Sequence, residues 1–298
     1  MSPLEYVVLK NGNCLDVLRQ MDSQMIHMCI TDPPYFIDGM GDEWSDSKLR
    51  KRRSSASAKT SSVKGLPPVM PFSPEQGKRL YLSMLPICGE LHRVLTPGAF
   101  VISFGSPRLI HRMALAFEDS GFEIRDQYVW SRPGQAKAAS HCRFVGPMAK
   151  KLGLPAAVRK SLERDTKSWK TPQLKPEYEP MVVAQKPCDG TMLNNWYRWG
   201  VGFVNTTETV DGKFPGTIID VPRDKRCEDN DHPTPKPVAL IEHLVKLFSQ
   251  RGQVVTDPFM GSGSHGEAAV RCGRGFVGIE IDPDYFQIAE RRLEDIRR

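Results

Sequence analysis

Two short stretches far apart in the chain combine residue types able to do chemistry on a ligand. The first is Thr31-Asp32-Pro33-Pro34-Tyr35. Consecutive prolines stiffen the backbone and remove two N–H donors, so nearby carbonyl oxygens remain as acceptors. The Asp32 carboxylate is a further acceptor, and the Tyr35 ring offers a stacking face. Such a set suits an amino group on a planar heterocycle, with two acceptors for its hydrogens and a ring to hold its plane. Taken alone, Asp-Pro-Pro is also an ordinary turn. The second stretch is Asp257-Pro258-Phe259-Met260-Gly261-Ser262-Gly263-Ser264, which follows the apolar run Val254-Val255-Thr256. Glycines there let the backbone approach a ligand closely, and a helix start offers amide donors. Further on, Gly278-Ile279-Glu280-Ile281-Asp282 puts an acid where ribose hydroxyls are held in sheets of this type. The glycine pattern is neither a dinucleotide G-x-G-x-x-G nor a P-loop, so nicotinamide chemistry and ATP hydrolysis fit poorly. A nucleoside cofactor is favoured over a turn without a ligand.

The elements that position these stretches follow from periodicity. Residues 25–31 read as a buried strand running into the Asp32 turn. A helix is predicted over 80–95, stopping before Thr96-Pro97-Gly98, and a buried strand over 99–104. Residues 107–120 read as a helix ended by Gly121, and 122–130 and 181–184 as strands. Residues 238–250 place Leu240, Leu244, Leu247 and Phe248 on one face, with Pro237 at the first helical position and Gly252 past the end. A strand over 254–256, a helix to Cys272, a strand over 276–279 and a last helix aligning Tyr285, Ile288, Ala289, Leu293 and Ile296 complete the pattern. Strand–helix alternation at both ends predicts an α/β fold, a doubly wound, mostly parallel sheet. One domain over 1–298 is expected, with a catalytic half over 1–131 and a cofactor-binding half over 232–298. Between them, 132–231 reads as a small insertion without a core of its own.

The 298 residues are enough to bury a sizeable core, and no apolar run is long enough to span a bilayer. Residues 1–10 lack the features of a signal peptide, so a cytoplasmic protein without membrane association is expected. Seven widely spaced cysteines with no CxxC pair argue against a disulfide framework and a structural zinc site, and no metal is implied. Net charge is +6, unevenly spread. Residues 47–74 hold seven Lys or Arg and no acid, and 132–175 hold eleven against two acids, which leaves the rest of the chain acidic. Two basic segments on an acidic body are the footprint of a polyanionic partner. Lys51, Arg52 and Arg53 in the basic loop over 47–74, and Lys150 and Lys151 in the second segment, are the candidate contacts to such a partner, the alternative being two solvated, charged loops.

Asp32-Pro33-Pro34-Tyr35 together with Asp257-Pro258-Phe259-Met260-Gly261-Ser262-Gly263-Ser264 resembles the DNA amino-methyltransferases that modify adenine N6 or cytosine N4. The order, catalytic motif first and cofactor motif near the C-terminus, is similar to the permuted class called β. Further stretches resemble the same family: Asn11-Gly12-Asn13-Cys14-Leu15-Asp16, Glu90 to Gly98 with the strand after it, Val129-Trp130-Ser131-Arg132, Glu179-Pro180-Met181-Val182 and His232-Pro233-Thr234-Pro235-Lys236-Pro237. The resemblance implies a Rossmann-like methyltransferase fold, permuted, with 132–231 as a target-recognition region. It also implies S-adenosyl-L-methionine as cofactor and double-stranded DNA as partner. A homodimer and a cognate restriction enzyme are left open as further partners. The target base must flip out of the duplex to be reached. Asp32, Pro33, Pro34 and Tyr35 are the implied catalytic residues. Asn13, Cys14, Asp16, Thr234, Lys236, Asp257, Phe259, Gly261, Ser262, Gly263, Ser264 and Glu280 are the implied cofactor contacts, with Thr234 and Lys236 at the methionine carboxylate, Lys236 being equally open to reading as a solvated lysine at a helix start. Asp in the catalytic motif favours adenine N6 over the alternative, cytosine N4. A non-catalytic DNA-binding protein on this scaffold is disfavoured by the intact motifs. Two departures stand out. Asn13 replaces the usual Asp, which implies a weaker hydrogen bond to the cofactor's adenine, and Ser264 replaces Thr but keeps the hydroxyl.

Overall fold

The computed structural model describes residues 6–34, 74–132, 142–169, 177–208, 214–222 and 236–297. Among them, eight strands form one sheet: β1 (Val7–Asn11), β2 (Ile26–Thr31), β3 (Leu95–Phe104), β4 (Glu123–Ser131), β5 (Tyr178–Gln185), β6 (Ile218–Ile219), β7 (Val254–Asp257) and β8 (Gly275–Glu280). Their order is β1-β8-β7-β2-β3-β5-β4-β6. The β1·β8, β8·β7, β7·β2, β2·β3 and β4·β6 pairs are parallel, and β5 runs antiparallel to β3. The winding reverses between β7 and β2, since β8 follows β7 on one side and β3 follows β2 on the other. A crevice outside the carboxyl ends of two such strands is where open α/β sheets bind ligands.

Side chains alternate across the strands and feed two cores. On one face Cys29, Val101, Val182, Val277 and Ile279 pack with helices α1 (Cys14–Gln20), α2 (Pro74–Val94) and α3 (Ile110–Asp119). On the other, Met28, Ile30, Phe100, Ile102, Phe104, Val183, Val255 and Phe276 pack with residues of three later helices. Those are α7 (Val238–Phe248), α8 (Ser264–Arg271) and α9 (Pro283–Arg297), and between α3 and α7 the described helices are α4 (Cys142–Lys151), α5 (Ala156–Asp165) and α6 (Met192–Trp199). Helix α2 forms because Leu80, Met84, Ile87, Cys88, Leu91 and Val94 recur at helical spacing and are all buried.

The described chain divides into two compact units. The segment Arg132–Tyr178, with α4 and α5, belongs to the smaller one, and the sheet with the remaining described residues makes up the larger. The smaller unit buries Val145 and Ala149 and presents Lys150 and Lys151, both exposed, at the end of α4.

Several elements differ from the sequence reading. Residues 7–20, left unassigned, form β1 and α1. Thr96-Pro97-Gly98, read as a stop between helix and strand, lies inside β3, where residues 96–99 stand opposite His27 alone. Side chains from elsewhere satisfy that bulge: Asn195 Nδ2 donates to Pro97 O at 2.9 Å, and Gln185 Nε2 donates to Gly98 O at 2.9 Å. Gly98 has φ +79, and a Cβ there would lie 2.2 Å from Asn195 Nδ2, so glycine is required. Because Asn195 sits on α6 and is fully buried, α6 belongs with the sheet rather than with the insertion expected over 132–231. Pro237 is the N-cap of α7, one place earlier than expected.

Candidate active site

Both chemistry-bearing stretches end at the crevice between β2 and β7, and one hydrogen bond ties them together. Thr31, the last residue of β2, donates from Oγ1 to Asp257 Oδ1 at 2.7 Å, and both residues are buried. The Phe259 amide donates to the same oxygen at 3.0 Å. The other oxygen of Asp257 meets His265 Nδ1 at 2.7 Å, which places a hydrogen on that nitrogen. Asp257 is 1% exposed, so its carboxylate is wholly committed to protein donors. Three donors on a buried carboxylate make it a rigid strut between the strands, not an open ligand contact.

Asp32, one residue beyond β2, lies in a different setting. Its side chain is 22% exposed and one oxygen is held by the Lys236 ammonium. The same ammonium reaches Glu179 Oε1 at 2.9 Å, and it lies over the Phe104 ring, 4.8 Å from the centroid. Lys236 is 5% exposed. Burial by itself lowers an ammonium's pKa, but the Asp32 and Glu179 carboxylates outweigh it and hold Lys236 above its ordinary value. Pro33 is buried behind Asp32 and Pro34 is half-buried.

On the cofactor side, β8 ends at Glu280, whose two oxygens accept from the Gly261 and Asp282 amides, each at 2.8 Å. The carboxylate thus pins the glycine turn, yet each oxygen retains a lone pair for a hydroxyl. Burial pushes its pKa up, partly countered by the two amides. Gly261 and Gly263 have φ +53 and +82, a left-handed backbone that other residues rarely adopt. A Cβ on Gly263 would lie 2.9 Å from that of Ala289, so this glycine permits α8 and α9 to pack closely. Ser262 and Ser264 are buried in the turn, and Phe259 is half-buried beside it. From the other direction, Gly12 N and Asn11 Nδ2 donate to the Glu280 carbonyl at 2.9 and 2.8 Å, bringing the start of α1 to the same place. Asn13 Oδ1 caps α1 by accepting from Leu15 N at 2.9 Å. Cys14 is buried, its thiol pushed up to about 12 by desolvation, and Asp16 is exposed and paired with Arg19 at 3.6 Å. A ribose acceptor, a tight glycine turn at a helix start and a neutral, non-nucleophilic thiol fit an adenosyl cofactor.

The structure therefore brings Asp32, Pro33, Lys236, Asp257, the glycine turn and Glu280 to one end of the sheet. Lys236 meets Asp32 and Glu179, a different partner from the methionine carboxylate expected of it. Tyr35, Lys51, Arg52, Arg53 and Thr234 lie outside the described residues. Sequence reasoning assigned no role to Glu179, His265 or Phe104. Glu179 carried a signal, being part of the Glu-Pro-Met-Val stretch, whereas nothing in the local pattern marks His265 as the partner of Asp257.

A doubly wound sheet with an acceptor loop and a nucleoside turn at its switch point defines a methyltransferase of the kind that acts on amino groups. The DNA methylase family model, covering N6 and N4 enzymes, matches residues 26–291. The chain is similar to the Type II methyltransferase M.HindIII of Haemophilus influenzae, with 29% identity over 95% of this chain and 94% of that protein. It is 42% identical to the DNA adenine methyltransferase YhdJ of Escherichia coli over 28% of this chain and 29% of that one. A putative DNA modification methylase from Thermus thermophilus, solved in complex with S-adenosyl-L-methionine, shares the fold at TM-score 0.57 and 19% identity, over 97% and 94% of the two chains. The chain belongs to the DNA methylase family and is a DNA methyltransferase. No helix among the described residues is long and apolar enough to cross a membrane.

Proposed function

We propose that this enzyme transfers a methyl group from S-adenosyl-L-methionine to the exocyclic N6 of adenine, flipped out of a specific double-stranded DNA sequence. The observation that carries the reading is the Thr31–Asp257 hydrogen bond, which fixes the Asp32 loop beside the Gly261–Glu280 turn. The Asp motif and the adenine-specific relative support adenine over cytosine. The Type II relative supports a cognate restriction enzyme.

The cofactor supplies a methyl group already activated on a sulfonium. What the chain must overcome is the amino lone pair's delocalisation into the base. Asp32 and the Pro33 carbonyl accept the two N6 hydrogens, turning the lone pair out of the ring plane and towards the methyl carbon. Nitrogen gains the methyl and the sulfonium leaves as a thioether. The alkylated nitrogen is acidic and passes its extra proton to water, so Asp32 works as an acceptor and electrostatic partner rather than a strong base. Positioning and preorganised charge then account for most of the gain. Glu280 is assigned to the ribose hydroxyls and Phe259 to the flank of the cofactor. Tyr35 is assigned to stacking on the flipped base. The Lys51-Arg52-Arg53 cluster and Lys150 and Lys151 are assigned to the phosphate backbone.

Unmethylated DNA is incubated with cofactor tritiated on the methyl, then digested to nucleosides. Label in N6-methyl-2′-deoxyadenosine is expected. Label in N4-methyl-2′-deoxycytidine overturns the target, and unlabelled DNA overturns the activity.

A further inference from the structure

At the end of the sheet opposite the crevice, a cavity of about 890 Å³ opens where β7 and β8 begin. Roughly the length of the six-residue strand β8, about 20 Å, separates it from Glu280. Its size is that of a small-ligand site. Residues 196–208 line one part, and the ends of α7 and α8 with the turns after them line the other, all within the larger unit. Lys246, Arg251, Arg271 and Arg274 face it against one acid, Glu208. This positive charge gathers in the part of the chain that carries the acidic excess. Three of the four cations have partners in the protein. Lys246 pairs with Glu208 at 3.8 Å and Arg271 with Glu267 at 2.6 Å. Arg274 is buried and donates to the Ser249 and Cys272 carbonyls, so it answers the C-terminal ends of α7 and α8. Arg251 is different: it is exposed, and among the described residues no hydrogen bond or ion pair holds its guanidinium. That group rests against the turn after α8, where a Cβ on Gly273 would lie 3.2 Å from its Nε and Nη2. Burial lowers the pKa of Arg274, and the charge of Arg251 nearby pushes the same way. Glu208 opposes that repulsion but is already paired with Lys246. The same cavity has an apolar wall. The Trp196 and Phe203 rings meet edge to face with centroids 5.4 Å apart, yet remain 36% and 43% exposed, so both keep area free for a ligand.

We propose that this cavity is a second ligand site, for a nucleotide: Arg251 takes the phosphate, and Trp196 with Phe203 takes the base. A guanidinium without protein acceptors offers a phosphate two parallel donors. Stacking on an aromatic side chain suits any base, because every base has a π face. The two walls together select the ligand. A bare anion would leave both rings exposed, and an uncharged ring would leave Arg251 unanswered. A nucleotide free in solution and one within a nucleic-acid strand present the same chemistry to these residues. The inference goes beyond the methyl transfer proposed above and does not depend on it.

The probe is thymidine 5′-monophosphate, whose base lacks the exocyclic amino group that suits the Asp32 loop. Binding is measured by calorimetry on the full chain saturated with S-adenosyl-L-methionine, so that the adenosyl site is filled. The nucleotide is expected to bind about tenfold or more tighter than either thymidine or inorganic phosphate, since each supplies only one of the two contacts. Arg251→Gln and Trp196→Ala are each expected to weaken it about tenfold, the scale of one charge-assisted hydrogen bond or one stacked base. Cofactor affinity and label transfer to DNA are expected to stay at the wild-type level in both variants. Arg251 is exposed and holds no hydrogen bond of the fold, so Arg251→Gln decides the question should Trp196→Ala fail to fold. Absence of thymidine monophosphate binding overturns the proposal, and so does binding that Arg251→Gln leaves unmoved. Inorganic phosphate that binds as tightly as the nucleotide marks an adventitious ion only and overturns it as well. A short thymidylate oligomer identifies the source, read as the part of its affinity that Arg251→Gln removes. If that part exceeds the monophosphate's and falls more steeply with salt, the proposal holds with a strand as ligand; if the two are equal, it holds with the free nucleotide.

Discussion

Two aspartates end neighbouring strands of this sheet and do opposite work. Asp257 closes β7 at 1% exposure, with donors from Thr31, Phe259 and His265 on its two oxygens. Asp32 follows β2 with its side chain 22% exposed and carries a lysine that is itself shared with a second acid. In the first, hydrogen-bonding capacity is spent on architecture. In the second, a partly exposed carboxylate stands at the edge of the crevice with an ammonium on one of its oxygens. An acidic residue at a strand end thus says little by itself; its donors decide whether it builds the site or serves it.

The comparison breaks most sharply on Asp32→Ala. Methyl transfer is expected to fall about a hundredfold or more, the scale of losing a preorganised electrostatic partner, while cofactor binding persists. Label transfer and calorimetry on the same preparation check it, and near-normal turnover would abolish the distinction between the two residues. Asp257→Asn is expected to act on stability instead. An amide cannot accept on both sides, so one buried donor loses its partner, at a cost of about 1–3 kcal/mol. A thermal midpoint lower by several degrees, with cofactor affinity reduced alongside, is the expected outcome; an unchanged midpoint would remove its structural role.

The smallest effect concerns Glu280, the third acid of the crevice, whose pKa is raised by burial. In the cofactor-free protein the folded state holds that proton to higher pH than the unfolded chain does. Its contribution to stability is therefore greatest below the ordinary carboxylate range and is lost as pH rises through the raised value. Cofactor affinity runs the other way, because the ionised form is the better acceptor for ribose hydroxyls. Calorimetric titrations from acid to neutral pH are expected to show affinity rising through a midpoint above the usual carboxylate range. A midpoint at or below that range would place Glu280 with Asp257 among the purely structural acids.

Much of this arrangement was legible in the sequence, and the limits of that legibility have physical causes. Strands β2, β7 and β8 announced themselves as short apolar runs that feed both cores, and helices α7 and α9 by apolar residues at helical spacing. Strand β3 was only half visible, since Thr96-Pro97-Gly98 has the composition of a turn and becomes strand only when Asn195 and Gln185 satisfy its carbonyls. Helices α4 and α5 were missed because they bury so little: α5 has no buried residue. Within the site, Asp32, the glycine turn and Glu280 could be read from residue type and spacing. The partners of Asp32 could not.

The sequence by itself determined which groups this protein has for its chemistry: an acceptor held by two prolines, a left-handed glycine turn and an acid one strand later. These are local properties, set by backbone freedom and by which atoms can donate or accept. The tertiary structure alone decided what each acid faces. Asp257 is committed and Asp32 is poised because Thr31, His265, Glu179 and Lys236 arrive from four separate parts of the chain. Contacts between residues far apart in the chain leave no periodic trace, and they exist only once the strands are laid side by side.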